Sequence, residues 1–165
     1  MFNTSRVPIS IKNATTRKWD TIKNIPLNEN LVPPFLDTTP DKFIVQVHRF
    51  VNSFVTYVPD VLDTWKDCNT TLQDRQGDCE DIAICKYKIL EHYGFSTDKM
   101  FIIIGRDNLL KQEHAVLVVE SNSNKYFVLD NVTQKVYEDK DNPGFTPIIS
   151  FNVNQFWVHS ERLNK

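Results

Sequence analysis

The spacing of apolar residues changes character near the middle of this chain. Up to Gly94 they recur every three or four positions, the period of a helix with one buried face; from Met100 onward they come as short β-branched runs split by turn residues. Trp19, Ile22 and Ile25 predict a short helix over 16–25, closed by Pro26. Leu31, Val32, Pro33 and Pro34 make a rigid connector, since each proline pushes its predecessor out of the helical region. A clearer helix signal follows, with Thr39 suited to the N-cap, Pro40 to the first position and Asp41 to the positive end of the dipole. Phe43, Val47, Phe50, Val51, Phe54 and Val58 share one face of that helix until Pro59 stops it.

Residues 60–76 have no period and read as a long surface loop, a kind of segment more often functional than idle. Ile82, Ala83, Cys85, Ile89 and Leu90 then define a largely buried helix over 79–93, with Gly94 placed to end it. Strands are predicted at 100–104, 115–119 and 126–129, with weaker ones at 136–137, 147–151 and 156–159 around a turn-rich stretch, 139–144. Residues 1–15 show no period and are expected as an arm extended over the body. Helices first and strands afterwards imply one α+β domain over 1–165, its antiparallel sheet packed against the helix that begins at Cys79.

Composition narrows the function classes. With 41% hydrophobic and 12% aromatic residues the chain can bury a real core. Its formal charge of −2, with acids and bases interspersed, offers no basic stripe, which excludes nucleic acid as the expected partner. No apolar run approaches the roughly 20 residues that span a bilayer, and no apolar leader follows Met1, so membrane insertion is not expected. A cytoplasmic protein and an exported one lacking its leader read alike here. Cys68, Cys79 and Cys85 show neither CxxC spacing nor the density of a disulfide scaffold; Cys68 and Cys85 can pair while Cys79 stays reduced.

The chemistry gathers at Gly77-Asp78-Cys79-Glu80-Asp81. A cysteine at a helix start meets unpaired backbone N–H groups and the positive dipole end, both of which favour thiolate. Asp78, Glu80 and Asp81 oppose it, because nearby negative charge raises a thiol's pKa. A bound cation resolves the conflict, and oxygen-only ligands favour calcium over zinc. The same residues also fit a plain capped helix with Cys79 as a small core residue.

A histidine decides between these readings. His114 opens a strand just before a hairpin; with the turn centred on Asn122, Val118 opposes Tyr126, Val116 opposes Val128 and His114 opposes Asp130. Opposed residues share a face at roughly 4.5–5.5 Å between Cβ atoms, close enough for a carboxylate to hold an imidazole, whereas a one-residue slip would part them. In this register Asp130 orients His114 toward Cys79, giving a thiol, a base and an orienter. His48, His92 and His159 read as packing or surface residues.

These segments resemble the bacterial transglutaminase-like cysteine proteinases of the LapG type. The likeness rests on Trp65, the Gly77–Asp81 pentad, Ala83, Lys86-Tyr87, His114-Ala115-Val116-Leu117 and Leu129-Asp130-Asn131. It covers residues 42–132 and the N-terminal arm, where Trp19 resembles a family tryptophan; 107–112 and the tail after Asn131 depart from the pattern. The resemblance implies a transglutaminase-like, papain-like fold and proteolysis with Cys79 as nucleophile, His114 as base and then acid, and Asp130 as orienter. It further implies an oxyanion site at the Cys79 backbone N–H and Trp65, and calcium held by Asp78 and Glu80, with Asp63 as a further ligand. A periplasmic location, a large surface adhesin as protein substrate and a membrane-bound cyclic-di-GMP receptor as partner are implied as well. Cytoplasmic residence, acyltransferase or amidase chemistry on the same triad, and a non-catalytic calcium-binding module are the alternatives.

Overall fold

The computed structural model describes residues 1–10, 12–36, 39–142 and 144–161. Ile11 of the expected arm, Pro143 of the expected turn and the last four positions of the expected domain lie outside the described residues. Four helices, α1 (Ala14–Ile22), α2 (Pro40–Phe54), α3 (Cys68–Asp74) and α4 (Cys79–His92), precede most of the sheet. Strands β1 (Thr4–Ile9), β4 (Met100–Asp107), β5 (Gln112–Glu120), β6 (Tyr126–Leu129), β7 (Tyr137–Glu138), β8 (Phe145–Phe151) and β9 (Phe156–Glu161) form one antiparallel sheet in the order β1-β9-β8-β4-β5-β6-β7. A separate parallel pair, β2 (Thr56–Tyr57) with β3 (Gln76–Gly77), flanks the start of α4.

The α+β architecture follows from the change of period. Alternation along the strands sends Ile102, Leu117, Val119 and Leu129 to the face packed with the helices, and Phe101, Ile103, Val118 and Val128 to the other. The second face has its own cover, in which the Arg6 guanidinium lies over the rings of both Phe101 and Trp157. The segment expected as an arm supplies β1, paired with β9 at the sheet edge.

Helix α4 is buried on every side, with Cys79 and each residue from Asp81 to Leu90 shielded from solvent. Its start is fixed by a reciprocal cap: Asp78 Oδ1 accepts from the Asp81 N–H at 3.1 Å, and Asp81 Oδ2 accepts from the Asp78 N–H at 3.3 Å. Gly77 is required by close approach, since a Cβ there would stand 2.7 Å from that of Asp81. Gly94, at φ 90°, ends the helix as the sequence predicts.

Three elements differ from expectation. α1 begins at Ala14 because Asn13 caps it, exchanging hydrogen bonds with Thr16. α2 ends at Phe54 rather than running on to Val58, because Thr56 and Val58 donate their N–H groups to Arg75 and Gly77 across the β2–β3 pair. Part of the expected 60–76 loop is α3, capped by the Asp67 side chain and packed through Cys68, Thr71 and Leu72. Cys68 and Cys85 pair between α3 and α4, which leaves Cys79 as the free cysteine.

Candidate active site

Cys79 occupies the first position of α4 and is 8% exposed. Its thiol donates to Glu80 Oε2 at 3.0 Å. Burial pushes the thiol well above its ordinary pKa, and the charges of Glu80 and Asp78 push the same way; the Ala115 backbone N–H on β5 opposes them. The nucleophile candidate therefore meets β5 one residue from His114. Asp78, only 7% exposed, has its carboxyl raised to about 7, first by burial and then by the charge of Glu80. Asp81 is tied down by backbone donors, its Oδ1 accepting from the Lys66 N–H at 2.8 Å, so it fastens the loop after Trp65 to the helix start.

His114 and Asp130 are brought together. His114 Nε2 and Asp130 Oδ1 lie 2.8 Å apart, both residues buried. The sequence register needs correction: Val118 pairs with Val128, not Tyr126, because the turn closes around Ser121, whose backbone N–H bonds Lys125 O and whose hydroxyl accepts from the Ser123 and Lys125 N–H groups. The slide is two residues, which preserves the face of every side chain, so His114 reaches Asp130 diagonally. Burial opposes a charge on Asp130, but the bond and charge of His114, the Val132 N–H at 3.1 Å and the Tyr137 hydroxyl at 3.2 Å together hold it below the usual carboxylate range. Nε2 is thus the ring nitrogen engaged by Asp130.

The other candidates lie around this centre. Trp65 stacks on Phe151 with ring centroids 5.6 Å apart, and its Nε1–H is buried without a hydrogen-bond partner among the described residues. Asp63, its side chain 70% exposed, pairs with Lys18 at 2.5 Å. Among the described residues, no three His, Cys, Asp or Glu side chains form a ready-made metal cage. Asp78 and Glu80 nevertheless suit a hard cation in kind: a carboxyl raised to about 7 by burial and by the charge of a neighbouring carboxylate is what a divalent ion relieves. Calcium's six to eight oxygens would then need backbone carbonyls and water besides.

Several residues at the site escape sequence reading. The Tyr57 phenol is raised by burial and by the charges of Cys79, Asp78 and Glu80, so it stands beside the helix start. Asp60, whose charge reaches Asp78, is a turn residue lowered to about 2 by hydrogen bonds from Thr64 and Leu62. Behind Asp130, Lys86 is wholly buried, donates to Leu129 O at 3.3 Å and is lowered to about 7 by burial. His48 is a buried packing histidine that bonds Thr133 O at 2.8 Å, and Asn52 bonds the carbonyls of both Asp130 and Thr133. His159 bridges Thr4 and Ser150 inside the sheet edge, while His92 stays partly exposed beside Glu29. A lysine in an otherwise apolar helix face was the one readable signal for Lys86; Asp60 comes from the segment without a period, and the pattern that placed His48, Asn52 and Tyr57 on one helix says nothing of what they meet.

The geometry has relatives. The structure of Legionella pneumophila LapG is 26% identical, with a TM-score of 0.68, and the match covers 90% of this chain and 81% of that one. The EGTA-treated form of the same protein matches at a TM-score of 0.69 over 92% of this chain and 81% of that one, and the calcium-bound form at 0.68 over 90% and 81%, both at 26% identity. A search of the curated proteins finds no match. The family model of the bacterial transglutaminase-like cysteine proteinases matches residues 11–162. With that span matched and LapG sharing its fold, the chain belongs to the bacterial transglutaminase-like cysteine proteinase family and is a cysteine peptidase.

Proposed function

We propose that the protein is a calcium-dependent endopeptidase in which Cys79 is the nucleophile, His114 the general base and then acid, and Asp130 the group that holds the imidazole. The observation that carries this reading is the buried 2.8 Å bond between His114 and Asp130, formed on the strand whose next residue, Ala115, meets the thiol. The thiol turns from Glu80 to His114 Nδ1 and gives up its proton as sulfur attacks the scissile carbonyl. Asp130 keeps the imidazolium charged and aligned, and His114 returns the proton to the leaving amine. The oxyanion is met by the Cys79 backbone N–H at the start of α4 and by the otherwise unpartnered indole N–H of Trp65.

Asp78 and Glu80 would hold the calcium ion, and Asp63 could join them only without its ion pair to Lys18. Bound there, the ion supplies positive charge beside the nucleophile. Two of the causes that keep the thiol protonated, the charges of Glu80 and Asp78, are then neutralised. A calcium-bound LapG structure and an EGTA-treated one support calcium as the ion, while the residues that would hold it here are argued from their chemistry. The family likeness extends the proposal to a periplasmic setting and a large surface adhesin as substrate, with a cyclic-di-GMP receptor as regulator. Water resolves the thioester in a peptidase; an amine would make the same site an acyltransferase.

The test is to incubate wild type and Cys79→Ala, with calcium, with surface and periplasmic proteins of the source organism and to sequence new termini. Termini made by wild type alone are expected. Acylated amines without new termini would point to transfer, and identical termini in both samples would remove the peptidase reading.

A further inference from the structure

The contacts of β7 lead from the outer edge of the sheet back to the candidate triad. Tyr137 pairs with Val128, two residues before Asp130, and its hydroxyl lies 3.2 Å from Asp130 Oδ2. Asn142 Nδ2 donates to the same hydroxyl at 3.0 Å. A phenol has one proton to give, and with Asn142 filling an acceptor position that proton is directed at the carboxylate. Asp130 Oδ2 is thereby fixed while Oδ1 takes the His114 Nε2 and Val132 N–H bonds. A buried carboxylate held at both oxygens cannot rotate away from the imidazole, and each donor favours its charged form.

We infer that Tyr137, oriented by Asn142, is a positioning residue that acts through Asp130 to hold His114 as the Nε2–H tautomer with Nδ1 free for the thiol. This rests on the roles proposed above for Cys79, His114 and Asp130. Removing the hydroxyl takes away one hydrogen bond to a charged group and leaves the ring to pack against Val128 and its neighbours.

The experiment compares wild type, His114→Ala, Tyr137→Phe and Asn142→Leu by two measurements: alkylation of Cys79 by iodoacetamide in calcium, and the ring proton and nitrogen signals of His114. In wild type, alkylation depends on His114, and the imidazole shows one Nε2–H proton protected from exchange. Tyr137→Phe is expected to slow alkylation about tenfold, the equivalent of one charge-assisted hydrogen bond, and to bring in the Nδ1–H tautomer. Asn142→Leu, which keeps the phenol, moves both readouts the same way by a smaller factor. If Tyr137→Phe does not fold, Asn142→Leu alone decides. Wild-type rate and an unmoved His114 signal in the folded variants overturn the inference, including the case where only the melting temperature falls. Alkylation equal in wild type and His114→Ala instead overturns the triad reading, while the His114 signals still judge Tyr137.

Discussion

Asp78 and Asp130 bury nearly the same group, 7% and 4% exposed, and hydrogen bonds reach both carboxylates. Their chemistry diverges all the same: Asp78 is raised to about 7, while Asp130 is held below its ordinary value. Burial raises both, so the difference lies in the neighbours. Asp78 has Glu80, Asp81 and Asp60 around it, whereas Asp130 has an imidazole, a phenol and a backbone N–H. One end of the site is electrostatically complete as it stands; the other is a concentration of negative charge that a cation would complete. The charges of the acidic end raise the Cys79 thiol, so a cation bound there would lower it.

The largest expected effects come from breaking the complete side. Cys79→Ala or His114→Ala should lower peptidase activity by at least about 10³-fold if they are the nucleophile and base proposed above. Asp130→Asn should cost about 10² to 10⁴, since the amide no longer enforces the tautomer. A loss under tenfold would mean that Asp130 is structural only.

On the acidic side the expected sign is opposite. Asp78→Asn with Glu80→Gln, in chelator, should speed Cys79 alkylation by about tenfold or more, since each pKa unit removed from the thiol multiplies the thiolate tenfold. The same variant should lose the rise in melting temperature that calcium gives wild type. Slower alkylation in chelator would show that these carboxylates do not restrain the thiol.

Much of this contrast was legible in the sequence, and the reasons are specific. Asp78, Cys79 and Glu80 sit within one helical turn, where spacing alone fixes proximity. His114 and Asp130 could be joined across a hairpin because face depends only on parity, which a two-residue slide preserves. Tyr137 and Asn142 were not legible, because side chains from weakly patterned segments meet Asp130 through tertiary packing, and Asn52 was not because the period of α2 fixes its face but not what that face meets. α3 was missed because a seven-residue helix with few apolar positions hardly differs from a loop in its pattern.

A smaller effect concerns stability rather than the site. Burial, aided by the charges of Lys86 and Arg6 respectively, lowers His48 to about 3 and His159 to about 4 from an ordinary 6.5. The unfolded chain therefore takes up these protons first as pH falls. The contribution of these two histidines should be complete above pH 6.5 and decline below it toward 4 and 3, by at most about 1.4 kcal/mol per pH unit for each, while Asp78, raised to about 7, works in the opposite sense over the same range. A change of urea midpoint between about pH 7.5 and about pH 5 that is the same in wild type and in His159→Gln would contradict it. The smallest effect is at Asp63: breaking its exposed pair with Lys18 by Asp63→Ala should cost less than about 1 kcal/mol and trim the calcium response far less than the Asp78 and Glu80 changes do.

The division of labour between the two ends is tested most directly by the rate of Cys79 alkylation, mapped by peptide mass, with calcium and with chelator, in wild type and His114→Ala. Calcium is expected to accelerate labelling of Cys79 in wild type and to lose most of that effect without His114. Labelling of Cys79 that is equally slow with calcium, with chelator and without His114 would contradict a metal-released, histidine-activated nucleophile.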